Sequence, residues 1–164
     1  MLNEDFLSNL PQPVGVFIDM GNLFFVQKKL KFWIDFAKLK DLFPIESKFF
    51  YFTAYNPENP KELSKLSKIK NLGYKLITRK LEFIAGKHKG NLDVEITWEI
   101  CDSKTKFESF VLVSGDGDFA IILDKLRSAK KKTVVISTDA MTNKNLRRFD
   151  YIDVKNIKNK ILRK

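Results

Sequence analysis

Cysteine and histidine are almost absent. One cysteine, Cys101, rules out an intrachain disulfide and leaves too few sulfurs for a zinc finger, and one histidine, His88, removes most imidazole-based chemistry. Any metal ion bound here would have to be held by oxygen. Only 7 Gly and 5 Pro occur in 164 residues, which excludes collagen and a flexible linker. Nowhere do the ~18 consecutive apolar residues of a membrane span appear. The N-terminal stretch MLNEDFLSNLPQP is acidic and broken by two prolines, unlike the charged start and apolar run of a signal peptide. The expectation is a cytoplasmic protein with no membrane partner.

What is present supports a packed core. Apolar residues make up 44% of the chain and include 15 Phe, enough for one domain that hides ~70% of its unfolded surface. A net charge of +10 raises the local concentration of polyanions. Its distribution says more than its sum. Residues 61–90 carry nine Lys or Arg and two acids, and residues 143–164 carry eight and two, whereas residues 91–118 carry seven acids and two Lys. Carboxylates beside a bound phosphate repel it unless a divalent cation reverses the local sign. The domain reading is an N-terminal extension over 1–13, one domain over 14–154 and a basic tail over 155–164.

The run VGVFID, Val14 to Asp19, reads as a buried strand ending in a turn at Met20-Gly21-Asn22. Asn22 is placed to cap the helix LFFVQKKL, and Asp35 to cap FAKLKDLF. Lys48 to Tyr55 reads as a second strand. Asn59-Pro60 starts a helix with Leu63, Leu66, Ile69 and Leu72 on one side, followed by a strand over Tyr74 to Arg79. Gly86 and Gly90, with Lys87, His88 and Lys89 between them, suggest a mobile basic loop. Asp93 to Asp102 fits a helix with Val94, Trp98 and Cys101 on one face. Then come the strand SFVLVS, a helix over Phe119 to Ala129, a strand over Thr133 to Ser137, a short helix over Asn143 to Phe149 and a last strand over Tyr151 to Val154. Unbroken apolar strands alternating with helices predict an α/β fold, a three-layer sandwich with a mainly parallel central sheet.

In such folds ligands bind beyond the carboxyl ends of the strands, where strand order reverses. Asp19 ends the first strand, and Asp116 and Asp118 follow SFVLVS in Ser114-Gly115-Asp116-Gly117-Asp118. Taken singly, Asp118 reads equally as a helix cap and Asp19 as a turn former. Three carboxylates at one edge repel one another, and a divalent ion offsets that repulsion. Asp93 in the first turn of its helix and Glu99 nearly two turns on complete the set. Oxygen-only ligands suit Mg²⁺ or Mn²⁺ rather than Zn²⁺. The Gly-Asp-Gly-Asp segment is not a dinucleotide fingerprint, and no Walker sequence occurs.

Three motifs occur in order: Val16-Phe17-Ile18-Asp19-Met20-Gly21-Asn22-Leu23, Lys89-Gly90-Asn91-Leu92-Asp93-Val94, and Leu112-Val113-Ser114-Gly115-Asp116-Gly117-Asp118-Phe119. Over residues 14 to 154 they resemble the NYN domain, in the LabA-like branch of the PIN-like nuclease superfamily. The resemblance implies a PIN-like sheet, an acidic pocket, a divalent metal and cleavage of RNA. By position, Asp19, Asp93, Asp116 and Asp118 would form the catalytic and metal-binding centre, with Asn22 beside it. Glu99 stands where the family usually has aspartate, and Asn91-Leu92 adds a residue to the usual Lys-Gly-Val-Asp spacing.

These features lead to the expectation of a metal-dependent ribonuclease acting on single-stranded RNA through an acidic Mg²⁺ or Mn²⁺ site. Asp19, Asp116 and Asp118 would be the chief ligands, helped by Asp93 and Glu99. Asn22 and Ser114 would orient water or ligand carboxylates, and Arg79, Lys87 and Lys89 would hold the substrate backbone. The alternative is a non-catalytic RNA-binding module with a weak or silent metal site. A homodimer or a partner protein is left open. Aromatic side chains would stack unpaired bases, with Phe24, Phe25, Phe32 and Trp33 undistinguished by sequence.

Overall fold

The computed structural model describes residues 4–84, 87–89 and 91–163, with the backbone alone at 83, 84 and 87–89. In chain order the elements are α1 (Glu4–Ser8), β1 (Val14–Asp19), α2 (Met20–Leu30), α3 (Phe36–Lys40), β2 (Lys48–Tyr55), α4 (Pro60–Asn71) and β3 (Lys75–Lys80). There follow β4 (Glu82–Ile84), β5 (Lys87–Lys89), α5 (Asp93–Asp102), β6 (Ser109–Val113), a 3₁₀ turn over Gly117–Phe119, α6 (Ala120–Ser128) and β7 (Lys132–Ser137). A second 3₁₀ turn over Lys144–Leu146, β8 (Asp150–Asp153) and α7 (Lys158–Ile161) complete the chain.

Six strands form one all-parallel sheet in the order β3-β2-β1-β6-β7-β8. The unbroken apolar runs exist because both faces are covered, and every residue of β1 and β6 is buried. Val16 and Ile18 of β1 point into a core completed by Leu23 and Val26 of α2, Leu39 of α3 and Ile69 of α4. Phe17 points the other way, towards Ile96 and Ile100 of α5 and Leu123 and Leu126 of α6. Its ring stacks on Phe50 of β2 at 4.7 Å and on Phe110 of β6 at 5.9 Å. Adjacent strands are spaced for such stacking, so three phenylalanines lock the centre of the sheet.

From β1 the chain moves outward to β2 and β3, then returns through α5 to β6 on the other flank of β1. Strand order therefore reverses between β1 and β6, and a crevice opens beyond their carboxyl ends.

Several local expectations are corrected. Helix α2 starts at Met20 with Asp19 as its cap, the Asp19 side chain accepting the Asn22 backbone N–H, so Asn22 is inside the first turn. The segment expected as a basic loop contains a hairpin, with Glu82 opposite Lys89 and Ile84 opposite Lys87; its Gly86 and Gly90 lie outside the described residues. On α5 the face carrying Val94, Trp98 and Cys101 is turned to solvent, and Ile96 and Ile100 are buried instead. That helix has apolar residues on more than one side, so periodicity allowed two stripes. Residues 155–163 carry Ile157 and Ile161 into the core, and Leu162 bridges Ile34. Among the described residues no helix is long and apolar enough to cross a membrane.

Candidate metal centre

The crevice between β1 and β6 gathers carboxylates from three separate parts of the sequence. Asp93 opens α5, and Asp116 and Asp118 lie in the turn after β6. One carboxylate oxygen from each lies within 4.8 Å of one from each of the others. Each arrives there by backbone chemistry. Asn91 Oδ1 accepts the Asp93 N–H at 2.8 Å while Asn91 Nδ2 donates to Asp93 Oδ2 at 2.6 Å, so the residue two before the helix aims the carboxylate. Asp116 Oδ1 accepts the Asp118 N–H at 3.0 Å, which starts the 3₁₀ turn and folds the two aspartates onto one side.

The turn is tightly packed. A Cβ on Gly117 would come within 2.4 Å of the Asn143 side chain, and one on Gly115 within 2.7 Å of the Met141 carbonyl oxygen. The Asn143 N–H donates to the Gly115 carbonyl at 3.0 Å. Glycine is needed at both positions, at Gly115 because the Met141 backbone closes in and at Gly117 because the Asn143 side chain does.

Asp19 lies behind this group rather than within it. The Asn22 N–H donates to Oδ1 at 3.1 Å, and Ser114 Oγ donates to Oδ2 at 2.8 Å. The same Ser114 Oγ accepts the Asp116 N–H at 3.2 Å, so one hydroxyl joins β1 to the acidic turn. Asn22 Oδ1 accepts the Gly115 N–H at 2.9 Å, a second tie across the crevice. Asp19 is only 9% exposed and Ser114 2%.

The electrostatics favour a cation. Burial raises the Asp19 carboxyl above its ordinary value, opposed by the two hydrogen bonds it accepts and reinforced by Asp93 and Asp116. Burial also raises Asp93, where the bond from Asn91 opposes it and the charges of Asp116, Asp118 and Glu95 add to it. Mutually repelling oxygen donors, with no sulfur or imidazole among them, match the ligand chemistry of a hard divalent ion.

Glu99 is not brought to this group. Its carboxylate takes a 2.7 Å hydrogen bond from Lys75 at the start of β3, because six residues of α5 carry it ~9 Å along the helix towards the opposite edge of the sheet. Arg79 forms an ion pair with Glu95. The side chains of Lys87, Lys89 and His88 lie outside the described residues. Sequence reasoning missed three contributors: Asn91, which aims Asp93; Asn143, which packs on the acidic turn; and Glu95, whose Oε2 is buried with no hydrogen-bond partner among the described residues. Only Asn91 carried a signal, as an Asn two residues before a helix start.

The family model described as NYN domain matches residues 13–155. The chain is 27% identical over 163 residues to "Low amplitude and bright protein LabA" of Synechococcus elongatus, covering 90% of this chain and 87% of that protein. It also superposes on the crystal structure of a protein of unknown function from Vibrio parahaemolyticus with a TM-score of 0.78 at 19% identity, covering 95% of this chain and 99% of that one. This last likeness is one of fold.

Proposed function

Because this chain belongs to the NYN domain family, we propose that it is a metal-dependent ribonuclease that hydrolyses phosphodiester bonds of single-stranded RNA. The observation that carries the reading is the convergence of Asp93, Asp116 and Asp118, with oxygens within 4.8 Å of one another at the strand-order reversal. These three carboxylates would hold Mg²⁺ or Mn²⁺, with the Asp19 charge behind them. Such a cation supplies Lewis-acid polarisation of the phosphate and acidifies water at neutral pH.

The chain's own residues do the positioning. Ser114 fixes the Asp19 carboxylate and the Asp116 backbone at once, and Asn22 holds Gly115. Asn91 keeps Asp93 turned into the crevice. Rigid placement of the acids removes the reorganisation that a mobile loop would need at each turnover. The net charge of +10 draws the polyanionic substrate to the surface. Arg79 of β3 and Lys87 and Lys89 of the hairpin would hold its backbone.

The test is incubation of the full chain with fluorescent single-stranded RNA and Mn²⁺ beside Asp116→Asn, which keeps Oδ1 as an acceptor for the Asp118 N–H. Wild type is expected to cut, and the variant to be slower by about 100-fold or more. Equal traces in both would point to a contaminant. Binding without any cutting would make the protein a non-catalytic RNA-binding module. Either result overturns the reading.

A further inference from the structure

Beside the acidic crevice, on the layer formed by α2 and α4, lies an open cleft of about 620 Å³. It begins at Gly21, where a Cβ would sit 3.2 Å from Asp19 Oδ1, and continues along Thr53, Ala54 and Tyr55 at the end of β2. Its walls are mostly apolar, with Phe24 and Phe25 from α2 and Leu66 from α4. The one carboxylate among them, Glu62, is occupied: its oxygens accept from the Asn56 N–H at 2.7 Å and Asn59 Nδ2 at 3.1 Å.

The aromatic surface does not stop at the cleft. The Phe24 ring lies 5.6 Å from Phe25 and 5.9 Å from Trp33, and these three rings are 43%, 58% and 48% exposed. Phe32, by contrast, is buried. The Trp33 carbonyl accepts the Arg163 N–H at 2.9 Å, which ties the Arg163 backbone to that of Trp33. Arg163 in turn lines a groove of about 450 Å³ with Lys61, Lys65 and Lys68 of α4, and Lys65 belongs to both groove and cleft. Among the described residues no carboxylate forms an ion pair with any of these four cations.

Exposed rings in a row cost free energy in water, and the four cations, with no ion-pair partner among the described residues, crowd like charge: burial and Arg163 disfavour the charge on Lys65, which Glu62 only partly offsets. A strand with flat apolar bases and a regularly charged backbone relieves both. We infer that single-stranded RNA leaves the metal centre along this surface, its unpaired bases stacking on Phe25, Phe24 and Trp33 while its phosphates follow Lys65, Lys68 and Arg163. A duplex, whose bases are hidden, would reach only the cations. The inference rests on the reading of the acidic crevice as an RNA site and adds the path of the substrate to it.

Binding can be separated from cleavage by measuring fluorescence anisotropy of a labelled oligouridylate of about twelve nucleotides in EDTA, with the full chain. Phe25→Ala and Trp33→Ala are each expected to weaken binding by about five-fold or more, the loss of one stacked base. Lys68→Glu should weaken it and lower the salt slope by about one. Trp98→Ala, at a still more exposed aromatic on the opposite layer, should bind like wild type. Melting curves of each variant confirm that it is folded. The inference is overturned if the cleft variants bind like wild type, if Trp98→Ala weakens binding as much, or if no RNA binds in EDTA. Cleavage that survives the loss of the cleft sinks this path and leaves the nuclease reading standing. Cleft-dependent binding without metal-dependent cleavage sinks the nuclease reading and leaves the path.

Discussion

The hydroxyl of Ser114 donates to Asp19 Oδ2 at 2.8 Å, and the two residues, the last of β1 and the first after the adjacent parallel strand β6, are separated by 95 positions in the sequence. Because the same oxygen accepts the Asp116 N–H, it couples the end of β1 to the turn that carries two of the three clustered acids.

Ser114→Ala removes both contacts inside a site with almost no access to water. A buried carboxylate oxygen and a backbone N–H lose their partners together, which is expected to cost about 2 kcal/mol of stability. Urea unfolding measures the loss. Ser114→Thr, which keeps the hydroxyl, should recover part of it, whereas equal losses in the two variants would show that volume rather than hydrogen bonding matters.

Gly117→Ala drives a methyl group against the Asn143 side chain and is expected to destabilise the fold by about 1–3 kcal/mol. The second variant, Asn143→Ala, opens that space but removes the acceptor for the Asn145 N–H. The double variant should therefore be less destabilised than the sum of the two single ones. Additive losses in a double-mutant cycle would show that the two residues do not meet.

The acids should work against stability when no cation is present. Asp93 has a carboxyl raised above its unfolded value by burial and by its acidic neighbours. A raised folded-state value means that the native protein binds more protons than the unfolded chain over that interval. Stability is then present at acid pH and is lost as pH rises through the raised value. Asp93→Asn removes this penalty, and in EDTA at pH 7 its melting temperature is expected to exceed that of wild type by about 1–2 °C. The gain should shrink towards pH 4, and Mn²⁺ should stabilise wild type more than the variant. A lower melting temperature in EDTA would contradict the electrostatic account.

How much of this was legible in the sequence depends on the range of each interaction. The strands were readable because a parallel sheet covered on both faces demands unbroken apolar runs, and these are local; the family was readable only through the resemblance of three short motifs in order. The approach of the turn after β6 to the end of β1 followed from parallel topology, since side chains that end neighbouring strands share an edge. Within the edge the order was not legible. Asp19 stands behind the cluster because Asn22 and Ser114 occupy its oxygens, and Asp93 stands within it because Asn91 turns it inward. Glu99 departs to Lys75 because a helix advances steadily along its axis while it rotates, and sequence spacing alone records the rotation better than the distance. The burial of Phe32 beside exposed Phe24, Phe25 and Trp33 is a tertiary outcome that composition does not carry.

The central claim is that Asp93, Asp116 and Asp118 together hold a divalent cation. Crystals of the full chain soaked in Mn²⁺ test it by anomalous scattering. The account predicts a peak within about 2.0–2.5 Å of oxygens from all three side chains, absent in crystals of Asp116→Asn. A wild-type crystal at saturating Mn²⁺ with no peak in the crevice, or with its peak held by other residues, would contradict it.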